Sequence, residues 1–161
     1  MMTPSFSRLS RSFVALSALA FFGLGCGAPG VKVSDNGSTF EVQGNQNDAL
    51  RGGENITIPD NFPADLPRYA NATTKLALKD KENYTLSQQT TDDTDTVVRN
   101  LDQQLTQNGY TLTVRIGNVG EPVQIIDYGS AAKQQAVRIQ VSQDTAKHQT
   151  MIMIVRVPKV Q

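Results

Sequence analysis

The chain has 161 residues, one cysteine, one histidine, no tryptophan, and 15 basic against 15 acidic side chains. Such a balance lacks the strongly basic footprint that marks a nucleic-acid partner. One cysteine excludes an internal disulfide framework, and one histidine leaves no His/Cys cluster at metal-ligand spacing.

The first stretch carries Arg8 and Arg11 and no acid, then a nearly unbroken apolar run from Ser12 to Gly25, then Cys26. A positive flank, a short apolar run and small residues at its end make a secretory signal. The run is shorter than the roughly 20 apolar residues of a permanent membrane span. Three parts are therefore expected: a signal peptide over 1–25, a tether with hairpin and linker over 26–55, and an α+β domain over 56–161. Taking Arg8 and Arg11 from the 15 basic residues leaves 13 against 15 acidic beyond the signal, a net of −2.

Val31–Ser34 and Thr39–Gln43 flank Asn36-Gly37, a turn pair that accepts positive φ, so the spacing predicts a β-hairpin. Gly44–Asn55 holds three glycines and little to bury and reads as linker. From Ile56 to Tyr69 a proline recurs every fourth residue, at 59, 63 and 67, which forbids a helix. Ile58, Phe62, Leu66 and Tyr69 punctuate this strap and are expected to pin it to the body. Lys75–Lys79 and Asn83–Thr90 read as two strands around an Asp80-Lys81-Glu82 turn.

Thr91–Asn108 is the one clear helix. Val97, Leu101 and Leu105 stand at i, i+4 and i+8, with Val98 widening the stripe. Thr91 or Asp92 is the expected cap, acids crowd the N-terminal turn, and Gly109 stops the helix with Tyr110 packing back. Four strands follow, near Tyr110–Ile116, Val123–Tyr128, Val137–Ser142 and Met151–Val157. Alternating runs predict strands buried on one face. The continuous apolar runs at Ile125-Ile126 and Met151–Val155 predict strands covered on both. The expected fold is α+β: a single helix on an antiparallel sheet, in the order β-β-α-β-β-β-β, behind the hairpin and strap. If the helix covers one face only, the outer side of the last strand needs the strap, the hairpin or a partner to cover it.

Gly23-Leu24-Gly25-Cys26 resembles the lipobox of bacterial lipoproteins, in which a small residue precedes a cysteine. The resemblance covers residues 1–26. It implies cleavage before Cys26, lipidation of its thiol and acylation of its new amino terminus. The family usually has Leu three residues before the cysteine; here Gly23 stands there and Leu24 one place later. Gly27 after the cysteine, in place of Asp, leans towards the outer membrane. Phe62-Pro63, Asp65, Leu66-Pro67, Tyr69 and Ala72-Thr73 are similar to a segment of small bacterial lipoproteins, which implies no activity. The alternative is an ordinary secreted protein cut after Ala28, with Cys26 as part of the cleavage site.

Catalytic chemistry is sparse. His148 lies in a polar turn. Asp92, Asp93 and Asp95 lack a calcium-loop pattern and suit a helix N-terminus. Gly129-Ser130 lacks a Gly-x-Ser-x-Gly elbow. Asp127, between Ile126 and Tyr128, is the one acid within an apolar strand; buried, its pKa would rise, but a turn-end or exposed-face position is the expected one. No catalytic residue, metal or cofactor is assigned. The reading is a non-enzymatic, lipid-anchored envelope protein, held on the periplasmic side of the cell or outer membrane through Cys26. It would bind another envelope protein, a wall component or a small ligand. The alternative is an envelope hydrolase with a site assembled from dispersed residues.

Overall fold

The computed structural model describes residues 30–34, 37–44 and 48–158. The signal, Cys26 and the Asn36 half of the hairpin turn lie outside them. Among the described residues nine strands and one helix run in chain order. β1 (Gly30–Val33), β2 (Thr39–Gln43), β3 (Ala49–Gly53), β4 (Thr73–Asp80) and β5 (Asn83–Thr90) precede α1 (Thr94–Gln107). β6 (Thr111–Ile116), β7 (Val123–Ser130), β8 (Gln135–Asp144) and β9 (Gln149–Pro158) follow it.

All nine strands join one antiparallel sheet, in the order β1-β2-β3-β4-β5-β9-β8-β7-β6. The expected succession β-β-α-β-β-β-β is present from β4 onward, but the strand order across the sheet is not sequential. The last strand, not the one after the helix, lies beside β5. The reason is reach. The 14 residues of α1 extend about 21 Å at ~1.5 Å per residue. That matches the roughly 19 Å spanned by four inter-strand gaps. The helix thus carries the chain to the far edge, and β6 to β9 return strand by strand.

The expected linker is also corrected. Residues 49–53 form β3, paired with β2 and β4, so the hairpin extends the sheet instead of packing on it. Ala-Leu-Arg-Gly-Gly has weak strand propensity; neighbours on both sides impose the conformation. Gly53 shows the cost of the fit. Its φ is +139°, and a Cβ there would sit 2.2 Å from the Ser38 carbonyl oxygen. Gly53→Ala is expected to destabilise β1–β3 by about 1–3 kcal/mol. Hydrogen exchange checks this: amides of β1–β3 should lose protection while those of β5 and β9 keep it.

The helix begins at Thr94, three residues after the expected Thr91. Asp93 is the cap, its carboxylate accepting from Thr96 N at 2.8 Å and Thr96 Oγ1 at 2.9 Å. Asp92 instead accepts from the Tyr69 hydroxyl. At the other end Gly109 takes φ +79°, Gly109 N donates to the Thr106 carbonyl, and Tyr110 N to that of Leu105. This is a Schellman ending. Val97, Val98, Leu101 and Leu105 are all buried against the sheet.

The strap lies on the same side of the sheet as the helix. Phe62, Leu66 and Tyr69 are buried in one core with Leu86, Leu101, Ile139 and Ile154. Buried Gln88 grips Tyr69 at both backbone groups, and Gln104 of the helix grips Arg68 likewise. Asp65 accepts from Arg156 at 3.0 Å and from Lys133 at 2.7 Å. These contacts replace the backbone pairing that a proline-rich segment cannot offer.

Candidate interaction surface

Side chains alternate across a sheet, so one register line per face describes each side. On the inner side, Ala77, Leu86, Ile154, Ile139 and Ile126 face one another across five strands and are fully buried. The next line belongs to the outer side. It runs Val33, Phe40, Gly52 and Leu76 across β1–β4, then Ser87, Met153, Gln140, Ile125 and Ile116 to the far edge. A second outer line starts Val31, Val42, Leu50, Leu78 and ends Arg138, Asp127, Val114.

None of the described elements lies over this outer side. Met153 is 44 % exposed, Phe40 40 %, Val33 62 % and Ile116 60 %. The expectation that β9 is covered on both faces is therefore corrected: it is central in the sheet but buried on one side only. The strap is on the helix side, and the hairpin lies in the plane of the sheet as β1 and β2. Neither of the two intramolecular candidates covers β9.

The face has three zones. Over β1–β4 both lines carry only apolar side chains and one glycine. Gly52 is there for its neighbour: a Cβ would meet the Phe40 ring at 2.5 Å, so that ring lies across the strand. The middle is mixed, with Thr85, Ser87, Gln140 and the Arg138–Asp127 pair. That pair is two-pronged, Nε to Oδ1 at 2.7 Å and Nη2 to Oδ2 at 2.8 Å. The Arg138 hydrogen bonds hold the Asp127 carboxyl below the usual carboxylate range against a smaller opposing effect of burial. Asp127 is thus an ion-pair partner on the outer face, not a buried acid of raised pKa. At the far edge Val114, Ile116, Val123 and Ile125 restore an apolar surface.

The strand edges are less inviting than the face. β1 is four residues long, and β6 carries a bulge between Leu112 and Val114 beside Arg115. Short edges, bulges and charges are devices that discourage strand addition.

The other sequence candidates have structural duties or stand apart. Asp95 accepts from Gly120 N and Gln124 Nε2. Ser130 is buried, and its hydroxyl oxygen accepts from Lys133 N. His148 is exposed in the β8–β9 turn. Burial and the Asp92 carboxylate raise the Tyr69 phenol to about 12. Among the described residues no three His, Cys, Asp or Glu side chains cluster to hold a metal. Three of the clefts are open grooves of about 420–530 Å³. The one between Glu41, Arg51 and Ile56 holds an ion pair at 3.1 Å. No family model matches this chain, and no curated protein or solved structure does. The sequence raised the question of what covers β9 but did not locate the face. The register that aligns Val33 with Met153 and Ile116 is a product of pairing and has no local signal.

Proposed function

We propose that this is a lipid-anchored cell-envelope protein, held by acylated Cys26 on the periplasmic side of the cell membrane or outer membrane. It acts as a non-enzymatic docking domain for another envelope component through the outer face of its sheet. The observation that carries the reading is the exposed Met151, Met153 and Val157 on the outer side of β9, with Val114, Ile116 and Val123 at the far edge, left open by strap and hairpin alike. Exposed apolar surface of this kind marks interaction sites in proteins that otherwise bury such residues. The signal-like run and the lipobox-like Gly25-Cys26 support a lipid attachment at Cys26.

The test has two arms. Wild type and Cys26→Ser are compared by intact mass and membrane partitioning. The wild type is expected in membranes with a mass starting at Cys26 plus acyl chains, and the variant is not. A photo-crosslinking residue at position 153 is then expected to capture an envelope component in cells. One at Arg99, on the exposed side of α1, is not. Ile125→Asp should abolish capture while changing stability by no more than about 1 kcal/mol, since the site is only half-buried. Capture equal from both positions, or unchanged by Ile125→Asp, would sink the docking reading.

A further inference from the structure

We propose that the β1–β4 zone of the outer face lies on the bilayer, with Val31, Val33 and Phe40 at the boundary between headgroups and acyl chains. The occupant of this zone is the lipid surface that holds the anchor; the far zone over β9–β6 is left for a protein partner. The inference rests on the lipid anchor proposed above and goes beyond it by fixing how the domain sits.

Two observations and the general twist of β-sheets carry it. The first is the length of chain between anchor and sheet. Gly30 opens β1 and stands four residues after Cys26. Four residues span at most about 14 Å when fully extended. The headgroup layer is roughly 5–8 Å thick on each side of the hydrocarbon. The first strand cannot leave the neighbourhood of the membrane surface.

The second is the asymmetry of this corner. On its outer side Val31, Val33, Phe40 and Val42 present hydrocarbon, with Val31 60 % and Val33 62 % exposed. On its inner side Lys32, Glu41 and Arg51 follow one another along the same register. A strand held at a membrane turns its apolar side to the lipid and its charged side to water, because a buried charge costs far more than a buried methyl group gains.

The third is sheet twist. Adjacent strands rotate by about 20–25°, so strands four apart differ by roughly 80–100°. If β1–β2 lie flat on the bilayer, β9–β6 turn up from it. Met153, Ile125 and Ile116 then face away from the lipid, where a protein can reach them.

The chain has no tryptophan, so one introduced residue reports its own surroundings. Val33→Trp is placed in the full chain, produced in a lipoprotein-processing bacterium and reconstituted into phosphatidylethanolamine–phosphatidylglycerol vesicles with brominated acyl chains. Val31→Trp serves as a second reporter in case the first disturbs folding, and Arg99→Trp on the helix is the control. The expected result is at least twofold quenching by bromolipid and a blue-shifted emission at 33 or 31, with neither at 99. Intact mass is read on the same samples. Acylated Cys26 with unquenched Val33→Trp and Val31→Trp overturns the bilayer contact and leaves the anchor standing. A mass without acyl chains, in a protein that stays off the vesicles, overturns both. Blue-shifted emission without bromolipid quenching, in a protein that sediments as a dimer, assigns the zone to a second copy and overturns the proposal.

Discussion

Ile154→Ala is expected to destabilise the protein by about 2–5 kcal/mol, while Met153→Ala beside it costs less than about 1 kcal/mol. The two residues are neighbours on β9, of similar apolar bulk, and differ only in the side of the sheet they face. Ile154 is fully buried, opposite Leu86 on one side and Ile139 on the other. Truncating it loses the transfer energy of its methyl groups and opens a cavity that helix and strap cannot close without moving. Met153 is 44 % exposed, opposite Ser87 and Gln140, so its truncation loses partial burial and opens no cavity. Denaturant titration of both variants gives the contrast directly. Equal losses would mean that the outer face is covered in solution, and a protein concentration dependence of the Met153→Ala midpoint would identify the cover as a second copy.

Asp65→Ala is expected to cost about 2–3 kcal/mol, below the ~3–5 kcal/mol of a fully buried pair broken on one side. Arg156 is the reason. Its side chain is 8 % exposed, and its guanidinium sits 4.6 Å from the Tyr84 ring centre and 3.0 Å from Asp65. Without the carboxylate, a nearly buried cation loses its charge partner and keeps the Tyr84 ring face and the Tyr110 hydroxyl. Asp65 itself is 30 % exposed and shares its charge with Lys133, which moderates the loss. The double variant Asp65→Leu with Arg156→Met should recover most of the stability, because the nearly buried cation goes with its partner and the cation left over, Lys133, is a third exposed and reaches water.

The same pair sets an acid limb. Burial alone would raise the Asp65 carboxyl, but the hydrogen bond from Lys133 and the charges of Lys133 and Arg156 outweigh it and hold it below its usual range. A carboxyl lowered on folding contributes stability above its unfolded pKa of about 3.9 and loses it as pH falls through the folded value. Stability should therefore drop below about pH 4 in the wild type, and less steeply in Asp65→Ala. Thermal midpoints between pH 7 and pH 3 measure this. Parallel curves for the two proteins would show that Asp65 does not contribute.

Where local pattern carried the information, reading and structure agree. The 3.6-residue stripe of Val97, Leu101 and Leu105 placed α1, and Gly109 placed its end. Phe62, Leu66 and Tyr69 anchor the strap as their spacing between prolines suggested. The helix cap moved from Thr91 or Asp92 to Asp93, since Asp92 is held by Tyr69, which is distant in the chain. β3 was illegible because Ala-Leu-Arg-Gly-Gly carries no strand signal; β2 and β4 make it a strand, and Phe40 fills the space that Gly52 leaves. Met151–Val155 misled for a related reason. A continuous apolar run says that both sides avoid water, and not what covers each side.

Composition and local periodicity by themselves determined the helix and its stripe, every strand but β3, and the charge balance of this chain. These follow from the spacing of side chains along a backbone of fixed geometry. Strand order, the merging of the hairpin into one nine-stranded sheet and the open outer face were decided only in three dimensions. They depend on how far a 14-residue helix reaches across a sheet, and on hydrogen-bond registers between residues as distant as Tyr84 and Arg156. No local pattern encodes such pairings, because their energy exists only once the strands have met.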